Sequence, residues 1–317
     1  MWPFRLGGRL RVDPAMGDDT ARALREALLR RDWRAGHDLL TAATDPDDHA
    51  FYVSIAADVP GVQDWIGEWI DAEPGSTLPV LVRGAHAVHW AWEARGAASA
   101  KRTSQEQFQE FRRRLKLAEN CLDEVVSRNP DDTTAWTFLV KSARGRQVGR
   151  PEAQRRFDEV VARHPGHRIA HEQMLQYNCA KWFGSHEQMF AFARDAVAKM
   201  PPGSPLGALI PSAHLEMWLD LPSGRDDEYL RGADVVAEVN AAADQSVRHP
   251  DYRRRPGWPV AHNYFAQLFA RAGDHRSAVE QFEVIGDRVT ELPWCYNIGT
   301  PSMAFARWRR KVGAGRG

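Results

Sequence analysis

Residues 118–165 read AENCLDEVVSRNPDDTTAWTFLVKSARGRQVGRPEAQRRFDEVVARHP, and this stretch gives one local pattern twice. Counting back from Pro130 and Pro165, Ala118 and Ala153 lie 12 positions earlier, Leu122 and Phe157 lie 8, Val125 and Val160 lie 5, and Val126 and Val161 lie 4. A period in this range marks paired helices that stack as an array, because one pair cannot bury its apolar face alone. Each position has a physical job. Ala lets two helices cross closely, the large apolar residue fills the space beside it, and Pro ends the helix by disfavouring helical geometry in the residue before it.

Stop signals extend the helical reading along the chain, at Asp45-Pro46, Val59-Pro60-Gly61, Glu73-Pro74-Gly75, Asn129-Pro130, His164-Pro165-Gly166 and Met200-Pro201-Pro202-Gly203. The patterning predicts helices over 19–30, 32–43, 47–58, 61–72, 77–95, 104–128, 131–145, 150–163, 167–182, 185–199, 206–220, 226–248, 258–272, 275–287 and 301–312. No stretch alternates with period two, so no sheet is expected. Residues 1–18 read as an irregular lead, 19–312 as a single helical-repeat domain and 313–317 as a disordered tail.

The Ala–large–branched–Pro spacing resembles the second helix of a tetratricopeptide (TPR) unit, and Trp136 and Leu139 match the large apolar positions of its first helix. Val140 stands where that family usually carries Gly. Another unit is read from His262, Phe265 and Phe269, the turn Ala272-Gly273-Asp274, and Ala278, Phe282 and Ile285. Degenerate copies run through Met189, Ala193, Ala196 and Val197 to Pro201, and from Leu24 to Pro46. The resemblance implies an all-α, TPR-like α-solenoid of stacked antiparallel helix pairs. Residues of about 80–200, through Ala91-Trp92-Glu93-Ala94-Arg95-Gly96, 108–130 and 181–189, also resemble a bacterial domain family without an assigned activity.

Composition narrows the function classes. Lys+Arg and Asp+Glu are both 42, giving a net charge of +0, so the chain lacks the basic footprint of nucleic-acid binding and has no attraction to anionic membranes. No apolar run reaches the ~18 residues of a membrane helix. The lead Met1-Trp2-Pro3-Phe4 is too short and interrupted for a signal peptide. Cys121, Cys179 and Cys295 form no CxxC or disulfide framework, which suits a cytoplasmic location.

In a TPR unit the first helix usually lines the concave groove. Aligned on Trp136, the groove residues are Thr134, Thr137, Lys141 and Arg144; aligned on His262, they are Asn263, Gln267 and Arg271; the intervening helix adds Glu172 and Gln176. This polar, partly cationic set suits an extended peptide or its terminal carboxylate, and a solvated helix face explains the same residues. The expected function is a non-enzymatic protein or peptide interaction scaffold, with no nucleic acid, no membrane and no cofactor. The alternative is a pocket that binds or transforms a small molecule, lined by His86, His89, Trp90, Trp92, Glu93 and Trp182. His86, His89 and Glu93 share one helix face at i, i+3 and i+7, but a metal needs further ligands and a second shell, so packing is favoured over metal binding. No P-loop, GxGxxG, HExxH or GxSxG is present. The Asp-Asp pairs at 18–19, 47–48, 131–132 and 226–227 stand where they cap helix starts.

Overall fold

Helix starts follow the capping chemistry of the sequence. Asp18, Asp32, Asp45, Asp132 and Asp274 each accept hydrogen bonds from amides in the first turn of the helix that follows, and Ser104 with Gln107 forms a reciprocal capping box. The chain is seen in a computed structural model that describes residues 10–96, 103–222 and 225–314. Its lead through residue 9 and its last three residues lie outside that range. Among the described residues there are sixteen α-helices and no strand. The first nine are α1 (Asp19–Leu29), α2 (Trp33–Thr41), α3 (Pro46–Ala57), α4 (Ile66–Ala72), α5 (Leu78–Arg95), α6 (Gln105–Arg128), α7 (Thr133–Arg146), α8 (Arg150–Arg163) and α9 (Arg168–Tyr177). They are followed by α10 (His186–Ala198), α11 (Leu209–Asp220), α12 (Asp226–Leu230), α13 (Ala233–Gln245), α14 (Pro259–Ala272), α15 (His275–Ile285) and α16 (Pro301–Lys311). No helix among the described residues is long and apolar enough to cross a membrane.

Two elements differ from the sequence expectation for identifiable reasons. The helix expected over 226–248 is two helices, because Gly232 takes an extended conformation and starts α13 afresh. The helix expected over 167–182 ends at Tyr177, after which the chain doubles back on itself. A Cβ at Gly184 would stand 2.0 Å from the Asn178 carbonyl oxygen, so only glycine permits this return.

The chain divides into two compact units, Asp18–Met189 and Phe190 onward together with the segment to Gly17. In the first, α5 packs along α6, α7 lies against both α6 and α8, and α9 lies against α7 and α8. Close approach depends on small residues: a Cβ on Gly84 of α5 would meet Leu122 of α6 at 2.9 Å, and one on Gly145 of α7 would meet Leu115 at 2.5 Å. The repeated positions share one environment. Ala118, Leu122 and Val125 are buried, as are Ala153, Phe157 and Val160, while Val126 and Val161 are both half-buried. Helix α3 crosses the row formed by α5, α7 and α9. It is anchored by His49 Nδ1 to Thr134 Oγ1 at 2.8 Å and by the Arg168 amide, which donates to Asp47 Oδ1 at 2.8 Å. In the second unit, α14 pairs with α15. Phe282, Trp294 and Phe305 form its aromatic centre, with ring centroids 5.1–5.8 Å apart.

One buried polar network ties three helices of the first unit. Arg156 of α8 donates from Nη1 to Glu119 Oε1 of α6 at 2.9 Å and to the Leu139 carbonyl of α7, also at 2.9 Å. Ser142 donates to the same carboxylate at 3.0 Å, and Arg146 donates to its other oxygen at 2.8 Å. Burial alone would push the Glu119 carboxyl up; the Arg156 hydrogen bond and charge, with Arg146 and Ser142, more than reverse this and hold it below the usual value. Glu119→Ala would leave the buried Arg156 guanidinium with Glu152, 2.7 Å from its Nε, as its remaining counter-charge. Chemical denaturation at pH 7 is expected to show a loss of about 3 kcal/mol, the low end for a broken buried pair. The wild-type advantage, fully present above the unfolded glutamate value of about 4.3, should fade as pH falls through the lower folded value.

Candidate functional site

Helix α7 has two working faces. Leu139 and Ser142 look into the network above, and Lys141 and Arg144 reach toward α5 and α9. The Arg144 guanidinium donates to Gln173 Oε1 at 2.9 Å and meets Gln176 Oε1 at 3.5 Å, both on α9. It lies 5.7 Å from the Trp92 ring and 5.6 Å from the Trp182 ring, close enough for attraction to both π-faces. Trp92 and Trp182 meet edge to face at 5.8 Å, and Trp92 packs on Phe111 at 4.9 Å. Arg95 adds a second guanidinium 5.6 Å from Trp92. The indole N–H groups of Trp92 and Trp182 are buried and have no acceptor among the described residues. A buried N–H left this way usually meets water or a ligand. The cluster is therefore rich in donors and positive charge, with its two glutamine oxygens already turned to Arg144.

Lys141 stands beside this cluster. Its Nζ is 2.6 Å from His89 Nε2 of α5, and His89 Nδ1 is 3.9 Å from Asp58 Oδ1. Burial, then the neighbouring Lys141 charge, then His86 hold His89 well below the usual imidazole value, so the ring is neutral and accepts the lysine hydrogen. Burial and then the Arg144 charge pull Lys141 down to about 8, against the opposing pull of Asp58 and Glu172. A quarter of the His89 side-chain surface stays open, and Lys141 is also part-exposed. These groups are reachable from outside, yet densely surrounded.

The groove and pocket sets read separately from sequence thus meet at two points, Lys141 with His89 and Arg144 with Trp92 and Trp182. Glu172 lies on α9 and pairs with Arg168 at 2.9 Å, while Gln176 faces Arg144. The other residues are placed differently. Thr134 and Thr137 are buried: α3 covers the first through His49, and the second contacts His167. His86 is buried and fixed by the Ala57 carbonyl at 2.8 Å and Gln63 at 2.7 Å. Trp90 packs under Arg114 at 3.6 Å, and Glu93 is exposed. Among the described residues no three His, Cys, Asp or Glu side chains converge as a metal would require.

Asn263, Gln267 and Arg271 lie inside the second unit. Asn263 accepts from Trp294 Nε1 at 2.6 Å, and Arg271 donates to Asn297 at 2.6 Å beneath Trp218. The Gln267 amide is fully buried and has no hydrogen-bond partner among the described residues. Sequence reasoning missed Asp58, Arg95 and Gln173. Each comes from a helix end or a face whose neighbours are set by tertiary packing, and no local spacing marks them.

Comparison with protein-family models, curated proteins and solved structures gives no match to the chain.

The Lys141 ammonium is held where the fold disfavours its charge. Because its folded value is about 8 and the unfolded value is about 10.4, the unfolded chain binds more protons between those limits, and stability should rise with pH there. Lys141→Met is expected to abolish that rise and to leave stability at pH 7 equal or higher, measured by urea unfolding from pH 7 to 10. A variant that is less stable at pH 7 would show that the lysine serves the fold.

Proposed function

We propose that this chain is a TPR-like interaction scaffold whose stacked helix pairs hold an acidic segment of a protein partner. The recognition face is made by Arg144, Lys141, Arg95, Trp92 and Trp182. The observation that carries the reading is the Arg144 cluster: a guanidinium fixed by two glutamines between two indoles whose N–H groups lack acceptors. Carboxylates of a partner would supply acceptors for the two indoles and suit the positive charge that Arg144, Arg95 and Lys141 bring to this face. The equal burial of the two repeat copies supports the stacked-pair architecture. Pre-organisation would favour affinity, since the pinned arginine loses little freedom on binding.

A second reading, a small-molecule site, is favoured by one observation. Lys141 rests on a neutral imidazole instead of a carboxylate, which leaves its amine available to a bound molecule.

Capture from native extract distinguishes the two. Full-length protein should retain a stoichiometric, acidic protein, and Arg144→Gln with Lys141→Gln should reduce capture about tenfold or more, as expected for losing charge-assisted hydrogen bonds. Retention of that protein by the double variant, or a tightly held metabolite in its place on mass spectrometry, would contradict the scaffold reading.

A further inference from the structure

A cavity of about 610 Å³ opens between α10, α11, α12 and the start of α13, its lining residues all in the second unit. Its size is that of sites for small organic molecules. One wall is a continuous chain of side chains drawn from four helices. Arg194 of α10 grips Glu238 of α13 through two hydrogen bonds at 2.6 and 3.0 Å. Glu238 Oε2 is 3.1 Å from His214 Nε2 of α11, and His214 Nδ1 is 2.6 Å from the Tyr229 hydroxyl of α12. Phe190 packs edge-on against the His214 ring at 4.8 Å.

The protons in this chain have one consistent arrangement. A carboxylate can only accept, so His214 Nε2 carries the hydrogen that Glu238 receives. His214 is buried, and burial pushes its value down against the pull of Glu238, so the ring is neutral and its Nδ1 must accept. Tyr229 therefore donates its hydroxyl hydrogen to His214. Burial and then the Glu238 charge push the phenol up to about 12, so it keeps that hydrogen at all ordinary pH values. The phenol oxygen is left with lone pairs only, and can serve a ligand as an acceptor but not as a donor.

The charges around the cavity point the same way. Arg194 and Glu238 neutralise each other. The remaining charged groups on the lining are the exposed Glu228 and Asp234, against Arg225 alone, and none of the three has an ion-pair partner among the described residues. Tyr229 adds aromatic surface, which attracts cations, while the Phe190 ring already lies 5.0 Å from the Arg194 guanidinium. The start of α13 would itself attract an anion, but Asp234 already places a negative charge in its first turn.

We propose that this cavity binds a small organic cation, an amine carried on an aromatic or apolar body, with its nitrogen donating to Tyr229 and facing Glu228 and Asp234. The proposal is independent of the acidic-partner reading, since it concerns a different unit and the opposite ligand charge.

Three probes of one shape test it on the full chain: phenethylamine, the uncharged 2-phenylethanol and the anionic phenylacetate. Titration is followed by the Tyr229 and Phe190 ring resonances in NMR. Phenethylamine should bind saturably and at least about tenfold more tightly than either analogue. Glu228→Gln with Asp234→Asn, both on exposed positions, should erase that preference while the melting temperature holds. Lys141→Gln, in the first unit, should leave it unchanged. The proposal is overturned if the amine binds no better than the alcohol, if none of the three binds saturably, or if the acidic double variant keeps the preference.

Discussion

The buried contact between Arg156 and Glu119 is the constraint on which the first unit depends. It joins α6, α7 and α8 at one point, and through the Leu139 carbonyl and Ser142 it fixes the rotation of α7 about its own axis. That rotation decides where Lys141 and Arg144 point. A buried ion pair adds little net stability, because desolvation offsets most of its attraction, but it penalises every arrangement that separates the charges. The network thus acts as a register pin: apolar residues supply the driving force, and the ion pair selects one way of stacking them.

Helix α3 sets the second boundary condition. By packing on α7 and α9 it removes Thr134 from solvent, while Thr137 is buried against His167 at the start of α9. The arginine, lysine and indole groups beyond it are half-buried. Fold and candidate site are linked through this division, since the polar groups of α7 divide between those that the chain itself covers, Thr134 and Thr137, and the half-buried Lys141 and Arg144. The lowered value of Lys141 belongs to the same trade, since a group held against its own ionisation costs stability near neutrality.

The sequence announced the helices and the repeated core positions clearly, because capping aspartates and the Ala–Leu/Phe–Val–Pro spacing act locally. Ala118 and Ala153, Leu122 and Phe157, and Val125 and Val160 all turn inward as their spacing predicts. What it could not show was which first-helix polar groups stay open. Thr134, Asn263 and Gln267 share the spacing of Lys141 and Arg144, yet they are buried, because α3 covers one and the interior of the second unit encloses the others. The break at Gly232 and the return at Gly184 were hidden for a related reason: a glycine's role depends on which backbone approaches it. The chain of Arg194, Glu238, His214 and Tyr229 draws on four helices and has no sequence signature at all.

The proposed recognition face turns on the two indoles beside Arg144. Nitrogen-15 NMR of the indole N–H groups, during titration with a hexaglutamate peptide at physiological salt, reads them individually. The Trp92 and Trp182 signals should move together and saturate while the other tryptophans stay still, and a hexalysine peptide should move neither. Unmoved Trp92 and Trp182 signals, or an equal response to both peptides, would contradict it.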